Sequence, residues 1–387
     1  MSQLYDLQKF CRAEHGWLIE TIEALVALES PTDDKAAVDR CGAALAARLE
    51  AIGAQITRLP RADRGDHIVA RFNADGTGGA GAGGGGKQIL LLGHFDTVWP
   101  VGQLDRMPLA RRDNRLHGPG VFDMKAGIAL GMLAARALRE VGSPTLPRLA
   151  MLWTTDEEVG SATSRAAIED EARRSAAVLV LEPSLPGGAV KTSRKGCGQY
   201  ELVVRGVSAH AGIEPEKGAS AIHELAHQIA DLSQLRRSGL SVNVGVINGG
   251  TRPNVVAEEA RAVIDVRASS RDEMEKADRV IRERQPQDTR TRVEISGGFD
   301  RPPLERTAGV ARLYEQARAV AQELGSQLAE GGTGGGSDGN FTAALGVPTL
   351  DGLGAIGDGA HALHEYVETS SLAVRAALLA GLISRIE

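Results

Sequence analysis

Aromatic residues, cysteines and long apolar runs are all scarce in this sequence of 387 residues. Aromatic side chains make up only 3% of the chain, so the hydrophobic core must rest on Ala, Leu, Val and Ile. The 3 cysteines are too few for a disulfide framework, which favours a reducing compartment. No uncharged apolar run of about 18 residues occurs, which excludes an ordinary membrane-spanning helix. The N-terminus lacks a basic segment followed by an apolar one, and we therefore expect a soluble, cytoplasmic protein.

An excess of positive charge is also missing. The 44 Lys and Arg residues are slightly outnumbered by 50 Asp and Glu residues, and the formal net charge is −6. A mildly acidic chain offers no basic surface for a polyanion, so we expect neither nucleic acid nor a membrane as a partner. The length of the chain predicts two domains.

Buried strands and amphipathic helices alternate over the first half of the sequence. Continuous apolar runs predict strands at 88–92, 149–154 and 177–181, and an Ala- and Leu-rich segment predicts a helix over 124–140. This alternation is typical of an α/β fold with a mostly parallel sheet and helices on both faces. The Gly- and Ala-rich run at 76–86 is predicted to be a flexible surface connection.

The pattern changes near residue 197, where alternating apolar and polar residues predict half-exposed antiparallel strands. We predict strands at 199–204, 240–247, 260–267 and 292–296, with helices at 219–234 and 271–284. Helix and strand patterns typical of the first half return after about 304. The simplest architecture is a catalytic domain of residues 1–195 and 303–387, interrupted by an α+β domain of residues 196–302.

Polar clusters follow several of the predicted strands, where parallel sheets place their binding sites. The clusters contribute two imidazoles and three carboxylates, from His94, Asp123, Glu158, Glu182 and His361. Such ligands suit a borderline divalent metal such as zinc. Five ligands exceed the needs of one catalytic zinc ion, but they suffice for two metal ions that share one carboxylate.

Three motifs resemble the M20 family of metallopeptidases, and within it the glutamate carboxypeptidases of the carboxypeptidase G2 type. They are GHFDTVWP at 93–100, GPGVFDMKAG at 118–127 and TDEEVGS at 155–161. The resemblance implies a zinc-exopeptidase-like fold with an inserted lid and dimerisation domain, and two Zn²⁺ ions per chain, with Co²⁺ or Mn²⁺ as alternatives. It also implies that this chain forms a homodimer through the inserted domain.

The resemblance also assigns roles to the metal-site residues. It implies that Asp123 bridges the two ions, that one further pair of ligands completes each site, and that Asp96 orients an imidazole. Glu157 would be the general base, and a cis peptide would follow Asp123. The implied ligand pairs are His94 with Glu182 and Glu158 with His361.

The same resemblance implies residues that bind the substrate. Asn254 would support the scissile carbonyl, His210 would stabilise the oxyanion from the partner chain, and Arg301 would bind the substrate carboxylate. Lys191 is a weaker match to a further carboxylate-binding residue. The implied reaction is cleavage of an N-acyl amino acid or small peptide with a free, glutamate-like C-terminal residue.

Other interpretations of the sequence remain open. The chain could instead be an N-acyl amino acid amidohydrolase or an N-succinyl amine deacylase of the same fold, or a binding protein that has lost catalysis. The segment 223–227 matches H-E-x-x-H, a zinc-protease signature, but we predict an ordinary polar helix face there. The glycine-rich run 334–339 matches G-x-G-x-x-G between a predicted short strand and a helix, but a dinucleotide site also needs an early βαβ unit with an acidic residue about 20 positions further on, which this sequence lacks.

Overall fold

The computed structural model describes residues 3–73, 88–141 and 148–386. The predicted flexible run at 76–86 lies outside these ranges. The chain divides into two compact units. Unit 1 comprises Met1–Thr192, Arg306–Gly332 and Ser337–Glu387, and unit 2 comprises Ser193–Glu305 and Thr333–Gly336. Among the described helices, none is both long and apolar enough to cross a membrane.

Ten α-helices occur in the described residues. They are α1 (Gln3–Ala13), α2 (His15–Val26), α3 (Lys35–Ala51), α4 (Ala126–Glu140), α5 (Arg165–Arg173), α6 (Ala221–Ser233), α7 (Arg271–Arg282), α8 (Ala308–Glu323), α9 (Gly339–Ala344) and α10 (Thr369–Ile383). The predicted start of α4 is two residues early, because Asp123 and Met124 have non-helical backbone angles.

Sixteen strands occur in the same residues. They are β1 (Gln55–Leu59), β2 (His67–Phe72), β3 (Gln88–His94), β4 (Ala110–Arg112), β5 (Arg115–His117), β6 (Leu149–Thr154), β7 (Ser175–Val180), β8 (Val190–Arg194), β9 (Gly196–Arg205), β10 (Leu240–Gly249), β11 (Glu259–Ala268), β12 (Arg292–Arg301), β13 (Glu330–Thr333), β14 (Thr349–Leu350), β15 (Gly357–Asp358) and β16 (Tyr366–Glu368).

Unit 1 is built on a six-stranded sheet in the order β1-β2-β6-β3-β7-β14. The strands β6, β3, β7 and β14 run parallel, whereas β1 and β2 are antiparallel to their neighbours. A second, four-stranded sheet has the order β15-β16-β5-β4. The predicted α/β fold with a mostly parallel sheet is confirmed, and the carboxyl ends of β3, β6 and β7 meet at one edge.

Both faces of the large sheet are covered by helices. Successive side chains of β3 alternate between the two faces, as in any strand. Ile89 and Leu91 lie in a core with α1–α4, α8 and α10. Leu90 and Leu92 lie in a smaller core with residues of α5 and α9. Burial on both faces explains why this strand reads as a continuous apolar run.

Unit 2 is an antiparallel four-stranded sheet in the order β10-β11-β9-β12, with α6 and α7 packed against it. The strands β10 and β12 are its edges. The predicted inserted segment was 196–302, whereas unit 2 extends from 193 to 305 and also includes 333–336. Hydrogen bonds explain the added segment, because the Arg194 guanidinium donates to the carbonyl oxygens of Gly335 and Gly336.

Candidate metal centre

Three of the predicted metal ligands lie at the carboxyl ends of neighbouring parallel strands. His94 is the last residue of β3, Glu158 follows β6, and Glu182 follows β7. Asp123 lies in the turn between β5 and α4, and His361 lies in the loop between β15 and β16. All five belong to unit 1.

The five side chains form one continuous row with Asp123 at its centre. His94 Nε2 lies 3.2 Å from Asp123 Oδ1 and 3.5 Å from Glu182 Oε1. His361 Nε2 lies 3.4 Å from Asp123 Oδ2 and 3.1 Å from Glu158 Oε2. Each imidazole nitrogen therefore faces two carboxylates, and the two oxygens of Asp123 are divided between the two halves of the row.

The electrostatics of this row favour bound positive charge. Burial opposes protonation of His94, but the carboxylates around it outweigh burial and raise its pKa well above the usual value. Hydrogen bonds with Asp123 and Glu158 raise the pKa of His361 to about 10. Burial favours the neutral form of Asp123, yet the two histidines hold its pKa far below the usual value. The carboxylates thus favour positive charge at both imidazoles, and a divalent metal bound between the rings and the carboxylates would supply that charge in place of a proton.

The spacing and the burial of the ligand atoms also fit a metal ion. Ligand atoms of His94, Asp123 and Glu158 all lie within 4.8 Å of one another, as do those of His94, Glu157 and Glu182. Glu158 Oε1 is buried and has no hydrogen-bond partner within the described ranges of the chain. A buried carboxylate oxygen without a partner costs free energy unless a cation satisfies it.

Asp96 orients the imidazole of His94. His94 Nδ1 lies 3.0 Å from the Asp96 carbonyl oxygen and 3.4 Å from Asp96 Oδ1. Because a carbonyl oxygen can only accept, Nδ1 carries a proton, and in the neutral ring the Nε2 lone pair is available to a metal. Asp96 Oδ2 accepts from the Thr32 hydroxyl at 2.8 Å.

Glu365 holds the turn that carries Asp123, and the sequence did not single it out. Its carboxylate is buried and accepts four N–H groups at 2.9–3.0 Å, from the backbones of Gly120, Phe122 and Asp123 and from the indole of Trp99. Burial raises the pKa of Glu365 to about 7, against the effect of these donors. Nothing in the spacing of Glu365 distinguishes it from an ordinary acidic neighbour of His361. The peptide bond between Asp123 and Met124 is cis.

The candidate substrate residues His210, Asn254 and Arg301 lie in unit 2, apart in sequence from the metal ligands, whereas Lys191 lies on β8 in unit 1. His210 and Asn254 are neighbours, because the Ala211 N–H donates to the Asn254 carbonyl oxygen at 3.0 Å and His210 forms a β-bridge with Val255. Both side chains are exposed. Arg301 ends β12 and is buried, opposite Cys197 of β9 in the sheet register.

The H-E-x-x-H segment has the geometry of a structural helix. Its glutamate, Glu224, is buried and accepts the backbone N–H groups of Gln287 and Asp288 at 3.0–3.1 Å. His223 and His227 are exposed. The glutamate of a zinc-protease helix must face the metal, whereas Glu224 fastens a loop inside unit 2.

Comparisons with known proteins agree with this geometry. The family model for peptidase family M20/M25/M40 matches residues 90–385. Carboxypeptidase G2 from Pseudomonas sp. (strain RS-16) is 30% identical over 381 residues, which cover 96% of this chain and 89% of that protein. Succinyl-diaminopimelate desuccinylase from Bordetella parapertussis is 28% identical over 379 residues, which cover 92% and 94% of the two chains.

Solved structures share the fold at lower identity. Aminopeptidase PepT from Bacillus cereus superimposes with a TM-score of 0.78 at 22% identity, covering 96% of this chain and 98% of that one. A Bacillus subtilis protein described as a dinuclear metal-binding peptidase has a TM-score of 0.68 at 15% identity, with the same coverage.

Proposed function

Because the chain belongs to peptidase family M20/M25/M40, a family of metallohydrolases, we propose that it is a two-metal enzyme that cleaves amide bonds. Its substrate would be an N-acyl amino acid or small peptide with a free C-terminal carboxylate. The observation that carries the proposal is the continuous row of five ligands centred on Asp123.

Two metal ions would share Asp123 in this arrangement. His94 and Glu182 would complete one site, and Glu158 and His361 the other. The mixed imidazole and carboxylate donors suit Zn²⁺, with Co²⁺ or Mn²⁺ as alternatives. When bound, the pair supplies Lewis-acid activation of water and of the scissile carbonyl group.

Glu157 is the proposed general base. It belongs to the loop after β6, and one of its oxygens lies within 4.8 Å of ligand atoms of His94 and Glu182. A carboxylate there can take the proton of the attacking water and deliver it to the leaving nitrogen, provided that a metal does not hold it.

The proposed substrate contacts come from unit 2. The buried guanidinium of Arg301 suits a bidentate contact with the free carboxylate of the substrate. Asn254 and His210 are exposed side by side, so one loop pair could support both the scissile carbonyl and its developing oxyanion. A glutamate-like C-terminal residue is the first candidate, as the resemblance to glutamate carboxypeptidases implies.

A homodimer through unit 2 would complete the site. Val246 and Ile247, on the edge strand β10, are 52% and 62% exposed, and Ile222 on α6 is 43% exposed. An edge strand with exposed apolar side chains is a ready surface for pairing with a second chain. We propose that His210 acts on the active site of the partner subunit.

A substrate panel tests the reaction. The metal-loaded enzyme should hydrolyse N-acyl glutamates faster than N-acetylornithine or N-succinyl-diaminopimelate, with kcat/KM as the measure. The acetylornithine deacetylase and desuccinylase relatives make those two compounds the relevant competitors. A higher kcat/KM for either competitor would replace the glutamate assignment, and metal-dependent hydrolysis of none of them would argue for a binding protein.

Mixed dimers test the role of His210. The chains His210→Ala and Glu157→Gln should each be nearly inactive, and co-expression should restore activity. A mixed dimer has one site with both an intact base and an intact histidine from its partner. With random pairing, activity should approach about a quarter of the wild-type value. Absence of recovery in dimers whose composition is verified by mass spectrometry would place His210 in its own chain's site or outside the mechanism.

A further inference from the structure

His67 is a fully buried histidine that the proposed mechanism does not use. It begins β2 in unit 1, and its two ring nitrogens contact two hydroxyl groups. Nδ1 lies 2.9 Å from Thr155 Oγ1, and Nε2 lies 3.1 Å from Thr163 Oγ1. These threonines stand at the two ends of the loop that carries Glu157 and Glu158.

Hydrogen-bond directions fix the tautomer of this ring. The Thr155 hydroxyl donates to the Gly65 carbonyl oxygen at 2.6 Å, so its oxygen must accept from His67 Nδ1–H. Burial lowers the pKa of His67, with Asp156 acting against it, and the neutral ring therefore has an acceptor at Nε2.

The second ring nitrogen of His67, Nε2, faces the Thr163 hydroxyl. The Thr163 hydroxyl lies 3.1 Å from His67 Nε2 and 2.9 Å from Asp156 Oδ2, and it has one proton to donate. Asp156 Oδ2 already accepts the Thr163 N–H at 2.6 Å. The hydroxyl donates to Asp156 Oδ2 at 2.9 Å and also lies within hydrogen-bond distance of His67 Nε2, so His67 contacts both threonines, donating from Nδ1 to Thr155 and facing the Thr163 hydroxyl with Nε2.

Hydrogen bonds to Asp338 also hold the loop that carries Glu157 and Glu158. Asp338 accepts from the Thr154 hydroxyl at 2.9 Å and also from the Ser161 hydroxyl. The Ser161 N–H donates to the Asp156 carbonyl oxygen at 2.8 Å. The loop is thus held at both ends by buried side chains from outside it.

We propose that His67 is a positioning residue for catalysis, because its bridge between Thr155 and Thr163 fixes the direction in which Glu157 points. The inference rests on the proposed function of Glu157. A displacement of a reacting group by about 1 Å can lower a rate by about 100-fold. Loss of the bridge should therefore affect turnover more than substrate binding.

The test compares three variants at saturating metal. His67→Leu removes the bridge and should lower kcat about 10- to 100-fold per metal-loaded chain, with KM changed less than about threefold. His67→Gln offers an amide donor and acceptor joined through one carbon, as imidazole does, and should recover most of that loss. Arg71→Met is the matched control on the same strand. It breaks a contact with Glu171 and should lower the melting temperature while leaving kcat unchanged.

Hydrogen exchange gives a readout that does not depend on activity. Backbone amides of residues 157–163 should exchange at least about tenfold faster in His67→Leu than in wild type or Arg71→Met. If His67→Leu does not fold, Thr163→Val removes the bridge from its other end and should give the same loop-specific change.

Three results would overturn the proposal. They are wild-type exchange in the loop after loss of the bridge, unchanged kcat in His67→Leu, and equal losses of kcat in His67→Leu and His67→Gln. An inactive wild-type enzyme would instead refute the proposed function, and the exchange experiment would still decide whether the bridge holds the loop.

Discussion

Replacing Glu365 by glutamine should both destabilise the protein and weaken the metal centre. Each oxygen of the Glu365 carboxylate accepts two N–H groups. An amide keeps one oxygen, but it turns an NH₂ group towards two of the four donors. Two buried hydrogen bonds are lost, and two buried donors, which include backbone N–H groups beside Asp123, are left without partners.

The expected loss of folding stability follows from the number of hydrogen bonds that Glu365→Gln removes. A hydrogen bond to a charged group contributes about 1.5–3 kcal/mol, so two losses amount to about 3–6 kcal/mol. Burial raises the pKa of Glu365 to about 7, which shows that the buried charge is itself costly. A neutral amide avoids that cost, and we therefore expect a value near the lower limit, about 3 kcal/mol. For a domain of this size the melting temperature should fall by roughly 6–12 °C.

Thermal unfolding and metal analysis together measure the effect. Glu365→Gln should lower the melting temperature by that amount and bind fewer than two metal ions per chain, because the Asp123 turn loses its anchor. Glu323→Gln is the control, since it removes an exposed pair with Arg385 and should leave the melting temperature nearly unchanged. A Glu365→Gln protein with wild-type stability and full metal content would refute this reasoning.

Three further predictions follow from other contacts. Glu157→Gln should keep both metals and lower turnover at least about 100-fold, and loss of a metal in this variant would make Glu157 a ligand. The double change His223→Ala, His227→Ala should leave metal content and activity nearly unchanged and alter stability by about 1 kcal/mol or less, as metal analysis and unfolding will show. Burial opposes the charge on Glu171, but the hydrogen bond with Arg71 holds its pKa below the usual value. The charged Glu171 carboxylate therefore stabilises the fold above about pH 4.5, and this stabilisation is lost at lower pH. Glu171→Gln should be less stable than wild type at pH 7, and the difference between the two proteins should shrink in acid. Unfolding experiments at each pH measure that difference.

Much of unit 1 could be predicted because its strands are buried on both faces. The apolar run that follows Gln88 predicts a strand at 88–92, and the structure extends β3 to His94. Apolar positions recur at helical spacing over residues 3–28, but the structure divides this segment into α1 and α2, because Glu14 has backbone angles of φ −90° and ψ 14°. Apolar periodicity locates elements well, but it does not reveal where the backbone changes direction.

The metal ligands can be predicted because His94, Glu158 and Glu182 follow apolar strand patterns and Asp123 stands in a family-like motif, whereas nothing of this kind marks the residues that orient them. Glu365 and His67 contact the site through backbone groups and hydroxyls that are distant in sequence. Asp338 likewise meets Thr154 only after the chain folds. No spacing rule marks such residues, because their partners are chosen by tertiary structure.

Stepwise addition of Zn²⁺ to the metal-free enzyme tests the central claim most directly. Amidase activity on an N-acyl glutamate and bound zinc should be measured at each addition. We predict that activity rises until two equivalents of zinc are bound per chain and then stays constant, and that His361→Ala lowers the metal content. Full activity with one equivalent, or activity that survives a chelator, would contradict a two-metal centre built on Asp123.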